Sequence, residues 1–418
     1  MMRNFSAFLA HVARVASSQT TLHQQCWLES PLYTLTFQTS LDGSQDYAFC
    51  SEPFDLYREQ DAEQYSLYEP WSHQPVCTTF LPGINDTLCV YTDATFSQGR
   101  GISIVTTPSL ARQFAVLPAF LDPPALTSQS TNTPSNVYSA TSLPGKGIGM
   151  LATRPLEFGD RVTSYTPAFI AYLESELSTL DRETLWRIAI EQLPLELKER
   201  FLGLATVYGD ERVRVQDVVK ANTFQVVVGG QNHLAVWPET SRLNHACAPN
   251  AQYVIDTNLL THTVRVTRPI APGEEITISY ISPLEPTSTR HQHLQHGFHF
   301  TCNCTRCTSS SSDTTLSRIK TLQSQLNDWS PTSSSSPAIA EELLMLYRKE
   351  GLEGFMDMAY GFAALAYSAV GDAEKAVEFA EKAQEAILMK DGGWTKNWRI
   401  WEELIGDVEG HWSWRRRL

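Results

Sequence analysis

Cys302-x-Cys304-x2-Cys307 crowds three thiols into six residues, and this feature limits how the chain can fold more than any other. Thiols this close do not readily bridge one another, because a disulfide needs its Cα atoms at a set separation. A short turn can instead point all three at one metal, and zinc asks for four tetrahedral ligands. The fourth has to come from elsewhere in the chain. Cys247 is the best candidate, since it sits in the polar turn Asn244-His245-Ala246-Cys247-Ala248-Pro249-Asn250, where proline stiffens the backbone. Four thiolates imply a closed, structural zinc site. Free or disulfide-bonded thiols are the alternative reading.

Joining Cys247 to the triplet would cinch residues 248–301 into a loop. Asn244, His245, Phe298 and Phe300 would then become neighbours. A carboxamide and an imidazole beside two aromatic faces suit a purine and an amino-acid moiety. Taken singly, the phenylalanines read as core residues and His245 as a hydrogen-bonded structural histidine.

Composition narrows the function classes. The 32 Lys+Arg against 46 Asp+Glu leave a net charge of −14, which argues against direct nucleic-acid binding, where phosphates must be neutralised. A basic peptide or protein partner would be tolerated. No run approaches the ~18 consecutive apolar residues of a membrane span, so no membrane partner is expected. Length gives a prior of two or three domains.

Along the chain, residues 1–25 carry Arg3 and Arg14 with several Ser and Thr and no acid, a weak targeting or disordered segment. Residues 26–125 show short β-like runs without a strong helical period, a β-rich region of unknown role. Residues 126–144, rich in Ser, Thr, Asn and Pro, read as a linker. From 145 to 281 short strands surround a helical insertion at about 167–220, marked by Leu173, Leu177, Leu180 and Leu185. Residues 282–307 hold the cysteine triplet. A Ser-rich linker with one helix follows at 308–337, and 338–418 is helical. There Tyr360, Ala363, Ala364, Tyr367, Gly371, Ala376, Ala380 and Ala383 fit a tetratricopeptide-like helix–turn–helix, with small residues where paired helices approach.

Four ordered motifs together carry a family resemblance. They are Gly145-Lys146-Gly147-Ile148-Gly149, the Asn244–Asn250 turn, Gly273-Glu274-Glu275-Ile276-Thr277-Ile278-Ser279-Tyr280, and Phe300-x-Cys302-x-Cys304-x2-Cys307. In order and spacing they resemble the SET-domain protein-lysine methyltransferases, particularly the SET and MYND branch and its fungal relatives. The resemblance implies an α+β fold: short β-sheets, a helical insertion, a post-SET zinc site and a helical tetratricopeptide-like tail. It implies S-adenosyl-L-methionine as cofactor, bound by Gly145, Lys146, Gly147, Asn244 and His245, with Phe300 on the adenine and Ser241 a lesser contact. Tyr280 matches the catalytic tyrosine. Asn222, Phe224 and Phe298 match the lysine channel. The implied zinc ligands are Cys247, Cys302, Cys304 and Cys307.

Two departures stand out. No cysteine lies between Gly149 and Asn244, so the MYND finger is missing there, and Ala246 replaces the family's usual serine. The implied substrate is a lysine of a histone or another protein, in the nucleus or cytoplasm, with a possible protein partner on the helical tail. The competing expectation is an inactive SET scaffold that binds partners through that tail. A secreted protein with Cys26, Cys50, Cys77 and Cys89 paired fits less well with a thiolate zinc site and an intracellular cofactor.

Overall fold

The computed structural model describes residues 69–393 and 395–418. The targeting segment and Cys26 and Cys50 lie outside these residues. Thirteen strands are described among them, in three sheets.

The first sheet runs β1-β2-β3-β7-β9-β8, from β1 (Val76–Cys77), β2 (Cys89–Asp93) and β3 (Ile102–Thr106) to β7 (Phe169–Tyr172), β8 (Thr223–Val228) and β9 (Gln231–Val236). β2 and β3 are buried at every position, as expected of strands covered on both faces. One face packs on the helical insertion through Val90, Val105, Phe169, Leu185, Trp186, Phe201 and Val218. The other packs on the smaller sheets through Ile104, Met150, Phe224, Trp237, Val264 and Ile276.

Those smaller sheets are β10-β13-β5-β4 and β11-β12-β6. Their strands are β4 (Tyr138–Leu143), β5 (Gly147–Ala152), β6 (Arg161–Tyr165), β10 (Asn244–His245), β11 (Ala251–Asp256), β12 (Thr261–Val266) and β13 (Glu275–Ile278).

Three expectations are corrected here. Residues 76–106 are not a separate region, because β3 pairs in parallel with β7, Ile104 opposite Ile170. Nor is the stretch up to 125 free of helix. Helix α1 (Pro108–Ala115) has proline in its first turn, and the Thr107 side chain accepts from Leu110 N–H. Residues 126–144 are not simply a linker, since β4 pairs with β5 from Tyr138–Ala152 to Leu143–Gly147. Ser139 to Ser142 are all exposed on this sheet edge, so the strand lacks the apolar alternation that would mark it.

The insertion holds α2 (Thr179–Glu191), α3 (Leu195–Leu202) and α4 (Arg214–Asn222). Ser178 caps α2 by accepting from Asp181 N–H, and Glu183 of α2 accepts from Val215 and Gln216 N–H at the start of α4. The carboxylate of Asp217 gathers the N–H groups of Val207, Tyr208 and Gly209.

Beyond the sheets lie α5 (Thr287–Phe298), α6 (Ser312–Leu326), α7 (Pro337–Lys349), α8 (Asp357–Ala369), α9 (Ala373–Lys390) and α10 (Lys396–Gly406). The serine run before α6 is not all spacer, because Ser312 opens the helix and is fully buried. α8 is the central helix of this region, buried at nearly every position from Ala359 to Ala369. It forms a hairpin with α9 across Gly371, whose φ of +79° suits a residue without a side chain.

Candidate methyltransfer site and its metal cluster

The four-cysteine cluster forms where two chain segments converge. β10 lies parallel to β13, Asn244 opposite Thr277 and His245 opposite Ile278, and Cys247 follows directly. Asn250 holds this turn in place: its carbonyl oxygen accepts from Thr277 N–H at 2.8 Å and its amide donates to Glu275 O at 2.8 Å. The other segment leaves α5 through His299, whose left-handed conformation at φ +58° reverses the chain toward Cys247. The Sγ atoms of Cys247, Cys302, Cys304 and Cys307 all lie within 4.8 Å of one another. Tetrahedral zinc with Zn–S bonds of about 2.3 Å needs Sγ separations near 4 Å, so the four thiols fit the ion. Their surroundings suit a cluster that is anionic when loaded. Arg290, fully buried, directs Nη2 at Cys307 Sγ at 3.8 Å, and Arg306 donates to the carbonyl of Cys247 at 3.1 Å.

His245, expected with Asn244 at the cofactor, has both ring nitrogens against groups of the protein. Its Nδ1 accepts from Tyr280 N–H at 3.0 Å, and its Nε2 lies 3.2 Å from Cys247 Sγ. The imidazole therefore ties β13 to the metal turn. Burial pushes its pKa down to about 3, so the ring is neutral.

On the other side of β13, Gly145-Lys146-Gly147 makes the tip of the β4–β5 hairpin, with both glycines at φ +72°. Lys146 Nζ donates to Glu275 Oε2 at 2.6 Å, and Asn244 Nδ2 donates to Glu275 Oε1 at 2.9 Å. One carboxylate thus joins the hairpin to the metal turn. Gly149 makes the approach possible, because a Cβ there would lie 2.7 Å from Asn244 Nδ2 and 2.4 Å from Leu143 Cδ1.

A cavity opens beside this junction, and Tyr280, Ser241, Asn222, Phe224 and Phe298 all line it. The Tyr280 hydroxyl donates to Leu243 O at 2.6 Å, and its ring packs 4.9 Å from Phe298. Burial raises the Tyr280 pKa, so the phenol keeps its proton. Ser241 Oγ donates to Asn222 O at 3.2 Å. The Asn222 side chain donates instead to Ala205 O and Val218 O, so it serves the insertion while its backbone borders the cavity. Phe300 packs against the cysteine cluster, 6.1 Å from the His245 ring and 6.5 Å from Phe298.

Sequence reasoning missed Tyr253, Leu243, Glu275 and Asn250. Tyr253 lines the cavity from β11, edge-on to Phe224 at 5.3 Å and stacked on buried His262 at 4.7 Å. No local motif marks it, since it enters through cross-strand packing. Asn250 and Glu275 were visible inside the motifs, and only the pairing of β10 with β13 shows what they hold.

Residues 147–281 match the family model described as "SET domain". Over these residues the chain is similar to SET domains. Curated relatives include N-lysine methyltransferase SMYD2 of Homo sapiens, 31% identical over 166 residues, which cover 39% of this chain and 37% of the relative. SMYD2 of Gallus gallus is 30% identical over 167 residues, with the same coverage of each chain. SMYD2-B of Danio rerio is 33% identical over 95 residues, 23% of this chain and 21% of the relative. The match thus spans under two fifths of these relatives' length. A solved SET domain of LSMT bound to lysine and AdoHcy aligns with 70% of this chain and 93% of that one, at 12% identity and a TM-score of 0.27.

Proposed function

We propose that the chain is an S-adenosyl-L-methionine-dependent protein-lysine N-methyltransferase. The observation that carries this is the cavity in which Tyr280, Phe224 and Phe298 meet, beside the Asn244–Glu275–Lys146 network of the SET domain. Its support is the family-model match and the N-lysine methyltransferase relatives.

When bound, S-adenosyl-L-methionine supplies an electrophilic sulfonium methyl, so the protein needs no strong nucleophile of its own. The glycine hairpin and the Asn244 carboxamide, oriented by Glu275, would offer backbone and amide groups to its amino-acid end, and Phe300 would offer an aromatic face to its purine. The remaining work is orientation and desolvation of a lysine amine. Aromatic walls at Phe224, Tyr253 and Phe298 exclude water and favour the neutral amine. The Tyr280 hydroxyl, held on Leu243 O, keeps its proton and lies among the cavity's polar groups. The substrate would be a histone or other protein lysine, and the helical region could hold a protein partner.

Calorimetry with S-adenosyl-L-methionine on zinc-loaded protein tests the cofactor half. Asn244→Ala is expected to abolish binding. Tyr280→Phe is expected to keep binding within about threefold while lowering turnover about 100-fold, on the scale of misplacing the reacting amine by about 1 Å once the hydroxyl oxygen that would accept from it is gone. Absence of binding by folded, metal-loaded wild-type protein would favour the inactive scaffold.

A further inference from the structure

The metal turn and the helical region share one buried ion pair. Arg306 lies between Cys304 and Cys307, its side chain only 2% exposed. Its Nε donates to Glu350 Oε2 at 2.8 Å, and Glu350 caps the C-terminal end of α7. Arg306 Nη1 donates to two backbone carbonyls, those of Cys247 and Pro283. Ser312, at the start of α6, donates to the same Glu350 oxygen at 2.7 Å. One guanidinium therefore spans both arms of the cluster, its own turn and the Cys247 backbone. The carboxylate that holds it belongs to neither arm.

The next residue reinforces this contact. A Cβ on Gly351 would lie 2.9 Å from the Cβ of Ala248, so the helical region presses directly on the residue after Cys247. Nearby, Gln252 Nε2 donates to Gly354 O at 3.3 Å.

Desolvating both charges costs about as much as their attraction returns, so a buried ion pair gives little net stability. What this pair supplies is direction. Arg306 has its Nε and Nη1 spoken for at fixed angles, which sets the distance between Cys247 and the Cys302–Cys307 turn. We propose that Arg306 and Glu350 are positioning residues for the metal. The helical region, acting through Glu350, holds the two arms of the four-cysteine site at ligand spacing. Zinc retention then depends on a side chain outside the SET domain, whether or not the protein transfers methyl groups.

The test uses the full chain loaded with zinc, and reads zinc release to a colorimetric chelator. Glu350→Gln keeps the shape and removes the charge. It is expected to weaken zinc binding 10- to 100-fold, the range found when partners that orient metal ligands are lost. Arg306→Met/Glu350→Leu leaves no unpaired buried charge, so it is expected to fold, and to shed zinc at least as fast as Glu350→Gln. Lys390→Met is the control. It breaks the 2.8 Å contact of Lys390 with Asp357 in the helical region, away from Arg306, and is expected to release zinc at the wild-type rate. Wild-type release in both Glu350 variants would overturn the proposal. So would equal acceleration in Lys390→Met, which would trace the effect to general loosening. Zinc release needs neither cofactor nor substrate, so failure here and failure of the methyltransferase reading are separate results.

Discussion

The metal-and-cavity site and the helical hairpin of α8 and α9 are held by different chemistry. Around the site, directional polar contacts set the geometry: Asn250 on β13, Glu275 between Lys146 and Asn244, Arg306 between Cys247 and Glu350. In the hairpin, close approach of small residues does so. Ala359, Ala363, Ala364, Ala366, Ala376, Ala380 and Ala383 are all buried, and a Cβ on Gly361 would come within 2.5 Å of the Trp401 ring. A helix satisfies its own backbone and needs only a matching surface. Irregular turns leave backbone groups to be paired one by one, so they depend on particular side chains.

Removing the metal should break the comparison most sharply. Structural zinc contributes on the order of 10 kcal/mol to folding of its site, so Cys302→Ser should release residues 244–307 from hydrogen-exchange protection. The α8–α9 pair should stay protected. Simultaneous loss in both regions would mean that the hairpin is not held by its own packing.

Acid should come next. His233 is fully buried, with Nε2 3.0 Å from Thr106 Oγ1, and burial pushes its pKa from 6.5 down to about 4. The unfolded chain therefore takes up this proton first as pH falls. The stability from the neutral ring is complete above pH 6.5 and is lost between there and pH 4, to the extent of about 3 kcal/mol. His233→Gln should flatten that part of the stability–pH curve of the six-stranded sheet, and an unchanged slope would assign the acid sensitivity elsewhere.

Gly361→Ala should cost the helical region about 2 kcal/mol by overpacking Trp401, seen as a lower melting temperature without loss of zinc. Zinc loss in this variant would erase the distinction between the regions. Smallest of all, Lys382→Ala on the outer face of α9 should leave melting unchanged, since its 2.5 Å partner Glu378 is an exposed i,i+4 neighbour.

The cysteine quartet was legible because ligand chemistry leaves so few choices, and Cys247 stands where the sequence puts it, among the triplet's thiols. The α8–α9 hairpin was legible from small-residue spacing, and the helical insertion from apolar spacing only from Thr179 onward: its expected start is strand β7 (Phe169–Tyr172), and Leu173 and Leu177 precede α2. Asn222 lines the cavity, but its side chain turns to Ala205 and Val218, where the end of α4 uses its amide. The strand at Tyr138–Leu143 was hidden by its exposed polar residues. The link between Cys77 and Cys89 was hidden by the quartet: a metal site elsewhere argued for unpaired thiols, whereas β1 and β2 put these two residues directly opposite and join them. Helix α5 had no signal either, since Thr287–Phe298 is mostly polar and histidine-rich.

By itself the sequence determined which residues can bind metal, where the backbone must turn on glycine, and that the insertion and the C-terminal region are largely helical, because those depend on residue chemistry and on neighbours within a few positions. Only the tertiary structure decided that β3 joins β7, that Tyr253 borders the cavity, and that Glu350 grips Arg306. Each of those joins residues more than forty apart or across strands, and such partners are chosen by complementary shape and charge in the folded chain, which no local pattern records.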